Sequence, residues 1–389
     1  MAGIRVLVVD DSVVIRKVLV EALSADPEIE VVGTAPDGNI ALSKIAALHP
    51  DLVTLDVEMP GMTGIETLVE IRKSNPKLPV IMFSTLTEKG AMTTLEALSL
   101  GASDCVTKPQ NSGSVDQTRT RIRSELIPKV KELCRRKSSG SLLPFPAAGA
   151  KSAFPAIRRN IPADRVEVVA IGTSTGGPNA LSEVFPMLSK EFPVPIVLVQ
   201  HMPPIFTRLL AERLGKRASI SIREGADGEV LTPGCVWIAP GDFHMRVARG
   251  AGGVRLVMSQ DPPQCSCRPS VDVLFESVAE VYGANVLAVV LTGMGSDGSR
   301  GSERIHAAGG QVIVQDEATS VVWGMPGQVA AAGLADGIFP LAQIAGEMGR
   351  RTHRQKAPMG SQMPVTFEEN KTGGHASLTM SLPHHDKRS

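Results

Sequence analysis

Short apolar, β-branched runs alternate along this chain with longer stretches in which apolar positions recur every three or four residues. The runs Arg5–Val9, Ile29–Gly33, Leu52–Leu55, Val80–Phe83 and Asp104–Val106 have the length and composition of buried strands. Helical periodicity fills the intervals at Val13–Leu23, Asn39–Leu48, Gly64–Lys73 and Thr87–Leu98, with a last helix from Val115 to Leu133. Five such βα units predict an α/β domain, a doubly wound parallel sheet with helices on both faces. From Arg135 to about Ala163 the chain turns rich in Ser, Pro, Ala, Lys and Arg and loses all period, which predicts a linker. A second alternating block follows, with strands expected at Val166–Ile171, Pro195–Gln200, Cys235–Ala239, Val286–Leu291 and Gln311–Val314. Its helices are expected at Asn179–Leu188, Phe206–Gly215, Val271–Tyr282 and Ser299–Ala308. Asp227 to Ser259 reads as strands and turns forming an antiparallel edge. Beyond Arg351 the polar, aperiodic sequence predicts a disordered tail, in which His384-His385 reads as a solvated pair, with metal binding as the alternative. The expected organisation is therefore a domain over 1–133, a linker over 134–164, a second doubly wound domain over 165–349 and a tail over 350–389.

Composition narrows the function. Forty basic residues balance forty acidic ones among 389. With no basic excess, and no helix-turn-helix pattern after Arg135-Arg136-Lys137, a nucleic-acid partner is not expected. Apolar runs such as Val286–Leu291 are far short of a membrane span, so no direct membrane insertion is expected. The N-terminus enters a strand at once, without a signal peptide, and the five scattered cysteines lack zinc or redox spacing. Together these point to a reduced, cytoplasmic protein.

In a doubly wound sheet the chemistry lies beyond the carboxyl ends of the strands. Asp10 and Asp11 end the first strand of the N-terminal block, Asp56 the third and Ser84 the fourth, while Lys108 follows the fifth. Any one aspartate after a strand reads as a helix cap. Three carboxylates, a hydroxyl and an ammonium at one end of one sheet read as a site, and crowded carboxylates with room for water suit Mg2+.

In the second block, Gly172-Thr173-Ser174-Thr175-Gly176-Gly177-Pro178 joins a strand to a helix. A hydroxyl on such a turn is lifted clear of the sheet, and the helix N–H groups beyond it face developing negative charge, as a serine nucleophile requires; an anion-binding turn is the simpler reading. A base is expected at the end of a neighbouring strand. His201 directly follows Pro195–Gln200, His244 at a turn is the second choice, and His306 within a helix reads as a surface residue. Asp297, on the loop Gly293-Met294-Gly295-Ser296-Asp297-Gly298, is the candidate to orient that base, although Asp-Gly also makes an ordinary turn or cap. The order Ser, His, Asp sets the site apart from α/β-hydrolases, whose order is Ser, Asp or Glu, His.

Residues 3 to 125 resemble the receiver domain of bacterial response regulators, through Val8-Val9-Asp10-Asp11-Ser12, Asp56-Val57-Glu58-Met59-Pro60-Gly61-Met62 and Thr107-Lys108-Pro109. The resemblance implies that Asp56 accepts a phosphoryl group from a sensor histidine kinase. It also implies that Asp10, Asp11, Asp56 and the Glu58 carbonyl hold Mg2+, that Lys108 pairs with the phosphoryl group, and that Ser84 turns towards it. Receivers usually carry Tyr or Phe where this chain has Cys105, so the Ser84 loop is left with more of the switching.

Residues 166 to 347 resemble the catalytic domain of chemotaxis protein-glutamate methylesterases. The shared blocks are Gly172–Pro178, Gln200-His201-Met202-Pro203, Ile238-Ala239-Pro240-Gly241, Arg268–Phe275, Leu291–Gly295 with Asp297-Gly298, and Trp323-Gly324-Met325-Pro326. By that resemblance the fold is a flavodoxin-like receiver followed by a Rossmann-like methylesterase domain. Ser174, His201 and Asp297 are the catalytic triad, and the N–H groups of Thr175 and Met294 are the oxyanion hole. The implied substrate is a glutamate methyl ester on a methyl-accepting chemoreceptor, with glutamine deamidation as a second activity. The ester chemistry then needs no cofactor, and Mg2+ serves the receiver alone. Cys267 stands where members of this family are expected to carry His. The competing reading is a response regulator whose C-terminal domain is a non-catalytic binding module.

Overall fold

The computed structural model describes residues 3–108, 115–138 and 166–352. The N-terminal sheet contains β1 (Ile4–Val9), β2 (Ile29–Ala35), β3 (Leu52–Asp56), β4 (Val80–Ser84) and β5 (Asp104–Thr107). Its order is β2-β1-β3-β4-β5, and every pairing is parallel. Val6 to Val9, Val53, Leu55, Val80 and Ile81 are buried because helices cover both faces. Those helices are α1 (Val13–Ser24), α2 (Gly38–Leu48), α3 (Gly64–Ser74), α4 (Glu88–Ser99) and α5 (Val115–Ser138). Their starts follow side-chain capping. Ser12, Asp37, Thr63 and Thr87 each accept an N–H from the first turn of α1 to α4, and Thr63 with Glu66 forms a reciprocal capping box.

The linker boundary needs correcting. Helix α5 continues to Ser138, so 134–138 are helical, and Leu126, Val130, Leu133 and Cys134 bury a stripe at helical spacing. The cationic run that broke the apolar pattern continues the same helix. The rest of the expected linker, 139–164, and the expected tail from 353 lie outside the described residues; 350–352 still belong to the final helix.

The second sheet has seven strands, all parallel, in the order β14-β13-β12-β6-β7-β9-β8. Its centre is β6 (Val168–Thr173), flanked by β7 (Ile196–Gln200) and β12 (Val286–Val290), all fully buried. Outside these lie β9 (Cys235–Ile238), β13 (Gln311–Gln315) and the edges β8 (Ser221–Glu224) and β14 (Gly337–Phe339). The sequence pattern missed both edges, which are short and partly exposed and so lack the apolar run of a central strand. The antiparallel pair β10 (His244–Gly250) and β11 (Gly253–Ser259) stands apart as a separate hairpin and does not edge the main sheet. Helices α6 (Gly177–Val184), α7 (Phe206–Gly215), α8 (Val271–Tyr282), α9 (Ser299–Ala307), α10 (Met325–Ala331) and α11 (Leu341–Thr352) cover it. Pro186 ends α6 early, and a single 3-10 turn over Phe185–Met187 replaces its expected last turn.

The two sheets belong to one compact unit. Val322 is buried within the apolar cluster that contains Phe83, Val106, Ile122 and Leu126, with Met294 and Val321 packed against it. Polar contacts cross the same boundary: Asn179 Nδ2 donates to Leu98 O (2.8 Å), and Arg208 pairs with Glu88 (3.1 Å). No helix among the described residues is long and apolar enough to cross a membrane.

Candidate active site and phosphoryl pocket

Ser174 is the first residue past β6, and His201 the first past β7. Thr173 and Gln200 are register partners on those parallel strands, so the next step along each brings Ser174 and His201 side by side. The turn is held from several directions. Ser174 N–H donates to Thr292 O (3.1 Å), while Ser174 O accepts from Gly177 N (2.8 Å) and Gln200 Nε2 (3.0 Å). His201 N–H donates to Thr173 O (3.1 Å). Gly176, at φ 80°, opens α6 in the left-handed region, where a Cβ would meet Val321 at 2.6 Å. Gly293 approaches so closely that its Cβ would stand 2.9 Å from that of Ser174.

The imidazole is gripped on both sides. His201 Nε2 lies 2.8 Å from Asp297 Oδ2, and Nδ1 lies 3.7 Å from Cys267 Sγ. Among the described residues no hydrogen bond joins Ser174 Oγ to the ring, an alignment that often tightens only with substrate bound. Burial would lower the His201 pKa, but the adjacent Cys267 and Asp297 outweigh it and push it up to about 10.

Asp297 is 2% exposed. It accepts from Ser270 Oγ (2.9 Å), Val271 N (2.7 Å), Asp272 N (2.9 Å) and its neighbour Gly298 N (3.0 Å). Burial would raise its pKa, yet the His201 bond and charge together with the helix N–H groups hold it below the usual carboxylate range. The cap expected of Asp297 is thus made to α8 rather than to the helix that follows it in sequence. Asp272 returns the arrangement, its Oδ1 accepting from Gly298 N (3.0 Å) and Gly301 N (2.7 Å) at the start of α9. Each carboxylate satisfies donors that the other helix leaves open.

Neither the Thr175 nor the Met294 N–H donates to an acceptor among the described residues. The Thr175 hydroxyl, in contrast, is buried and bonded to Asp104 Oδ2 of the N-terminal sheet at 2.5 Å. His244 is fully buried, with Nδ1 accepting from Ser270 N (3.2 Å) and Nε2 beside Pro262 O (3.3 Å), which makes it a support of the α8 entry. Ser270, Asp272 and Gln200 support the site without having been singled out; only tertiary contacts reveal them.

At the carboxyl end of the first sheet, ligand oxygens of Asp10, Asp11 and Asp56 lie within 4.8 Å of one another. Lys108 Nζ stands 2.9 Å from Asp10 Oδ2 and 2.7 Å from Asp56 Oδ2, an ion pair by distance whose two oxygens have no aligned hydrogen bond. Burial, then the charge of Asp10, push the Asp56 pKa up to about 6 against the pull of Lys108. Buried oxygens left open in this way fit a hard divalent cation such as Mg2+. Glu58 N–H reaches Asp56 Oδ1 (3.4 Å), and its side chain turns out to Lys89 (3.0 Å). Ser84 Oγ donates to Gly90 O (3.1 Å) and Thr85 O (3.2 Å) on the α4 side. At Cys105, burial pushes the thiol up to about 12, and Lys129 Nζ donates to its carbonyl (2.9 Å) while pairing with Asp104 (2.8 Å).

Comparison with known proteins divides the chain in the same two parts. Residues 6–118 match the model of the response regulator receiver domain, and residues 169–348 that of the CheB methylesterase. A protein-glutamate methylesterase/protein-glutamine glutaminase of Nocardioides sp. is 51% identical over 92% of this chain and 97% of its own length. One of the same description from Trichodesmium erythraeum is 51% identical over 90% of this chain and 99% of its own. The catalytic domain of Thermotoga maritima CheB methylesterase, a crystal structure, is 43% identical and covers 47% of this chain and 97% of that domain, with a TM-score of 0.47.

Proposed function

The chain belongs to the protein-glutamate methylesterase/protein-glutamine glutaminase family, and from that premise we propose that it is a phosphorylation-controlled serine hydrolase. Its substrates are methyl-esterified glutamates, and by the same chemistry glutamine amides, on the cytoplasmic helices of chemoreceptors. The observation that carries this reading is His201, bonded to buried Asp297 at 2.8 Å and set beside Ser174 on neighbouring strand ends.

Because Nε2 is committed to Asp297, Nδ1 is the nitrogen that takes the Ser174 proton as the hydroxyl attacks the ester carbonyl. Such general-base help typically gives about 10²–10⁴-fold. The undonated N–H groups of Thr175 and Met294 face the developing oxyanion, where one such donor is worth about 2.7–4 kcal/mol. Methanol, or ammonia from an amide, leaves with the proton from the imidazolium. Water, activated by the same nitrogen, then hydrolyses the acyl-serine to glutamate. Asp297 stays ionised throughout and fixes the ring orientation. Against a non-catalytic binding module stands this assembly of hydroxyl, base and carboxylate on the loops that follow three neighbouring strands, β6, β7 and β12.

In the receiver, Asp56 accepts the phosphoryl group from a sensor histidine kinase and Lys108 pairs with it. Asp10, Asp11, Asp56 and the Glu58 carbonyl would hold Mg2+, which when bound would neutralise charge on the transferring oxygens. Ser84 leaves the carbonyls of Thr85 and Gly90 to meet the new anion. That movement pulls on α4, whose Leu98 and Glu88 touch α6 and α7. The unphosphorylated receiver, packed on Met294, Val321 and Val322, restrains the serine turn, and phosphorylation loosens it. Methanol release from methylated receptor membranes tests the whole reading. A phosphodonor should raise it in the parent chain, and Ser174→Ala should abolish it; an active Ser174→Ala chain sinks the serine mechanism.

A further inference from the structure

The partner of His201 Nδ1 in this structure is a thiol. Cys267 Sγ, His201 and Asp297 form a tight cluster, their ligand atoms within 4.8 Å of one another, with sulfur to Nδ1 at 3.7 Å and Nε2 to carboxylate at 2.8 Å. A carboxylate-held imidazole beside a thiol is the arrangement that generates reactive thiolates. We propose that Cys267 is a thiol-modification site that takes low-molecular-weight disulfides and switches the esterase off reversibly.

The other four thiols lack this partner. Cys134 and Cys235 are buried, and Cys105 sits at about 12. Cys265 is exposed but points at the Asp272 carboxylate (3.9 Å), and burial, then the charges of Asp297 and Asp272, raise its pKa. Cys267 is half-buried, open enough for a small reagent. The elevation of the His201 pKa reflects the same thiol–imidazole pair seen from the ring.

The step balances without further reagents. The Cys267 proton passes to His201 Nδ1, and the sulfur attacks one sulfur of the disulfide. A new S–S bond forms as the old one breaks, and the departing thiolate takes the proton from the imidazolium. One thiol and one disulfide become one mixed disulfide and one thiol. The added group then occupies the space beside Nδ1 and denies that nitrogen to Ser174.

The test uses the full chain at neutral pH with 5,5′-dithiobis(2-nitrobenzoate), the modified cysteine being located by peptide mass. Cys267 should react faster than the more exposed Cys265 in the same molecule. In a Cys265→Ser background, His201→Gln should slow Cys267 labelling by about tenfold or more. Methanol release should fall in step with Cys267 modification and return with dithiothreitol, whereas Cys267→Ser should lose none of its own rate on treatment. Cys267 left unlabelled while Cys265 reacts, an unchanged labelling rate in the His201→Gln chain, or full turnover by the modified protein would each overturn the proposal. Only the loss of turnover rests on the esterase reading. If no untreated chain releases methanol, that reading fails while the labelling comparison still decides the thiol's reactivity.

Discussion

Asp104, the first residue of β5, accepts a buried hydrogen bond from the hydroxyl of Thr175, the residue immediately after Ser174. One side-chain contact therefore ties the receiver's last strand to the turn that carries Ser174. A hydrogen bond to a charged group contributes about 1.5–3 kcal/mol, enough to bias a two-state contact by roughly tenfold or more. The Asp104→Ala chain should show faster methanol release without a phosphodonor and a smaller increase with one. Lys129 loses its partner in that variant, so a lower urea midpoint is expected alongside. An unchanged basal rate would show that Asp104 does not restrain the turn.

His201 must be neutral to accept a proton. Its pKa is pushed up to about 10, so kcat/KM should climb as pH rises towards 10. Removing the thiol in Cys267→Ser should move that limb to lower pH. Stability runs the other way. A group raised when folded stabilises fully below its unfolded pKa of 6.5, and its contribution disappears as pH climbs through about 10. The melting temperature of the parent chain should therefore fall over that window by more than that of Cys267→Ser. Coincident pH profiles for the two chains would remove Cys267 as the cause.

Asp297 serves both the imidazole and the start of α8. Asp297→Asn should lower kcat by about 10⁴-fold, the loss seen where a triad carboxylate becomes an amide. It should also cost about 1–2 kcal/mol of stability through weakened capping, read from urea unfolding. A large kinetic loss without destabilisation would separate the two roles.

The buried carboxylates Asp10 and Asp56, with Asp11 beside them, share the charge of Lys108, so the receiver's stability should depend on a further cation. Mg2+ at a hundred times its Kd should add about 2.7 kcal/mol, seen as a rise in melting temperature that EDTA reverses. Asp10→Ala should abolish the rise. Asp56→Asn should keep basal methanol release and lose its response to a phosphodonor.

The central strands were legible because burial on both faces forces unbroken runs of Val, Ile and Leu, as in Val168–Ile171 and Val286–Val290. Strand ends followed, and with them Asp10, Asp56, Ser174 and His201, since a parallel sheet collects its strand ends on one side. Edge strands β8 and β14 carried no such signal. Cys267 reaches His201 only because the backbone at Cys265 and Ser266 turns through positive φ, which composition does not announce. The bond from Thr175 to Asp104 joins residues 71 positions apart in different domains, beyond any local pattern.

The mutual capping of α8 and α9 by Asp297 and Asp272 has a temporal consequence. The carboxylate that steadies His201 is set when two helices dock, so it is complete as soon as the domain folds. No slow assembly of base and carboxylate then stands between a signal and the first turnover. Any delay in responding belongs to whatever brings Ser174 to the ring, while the pairing of Asp297 with His201 is in place beforehand.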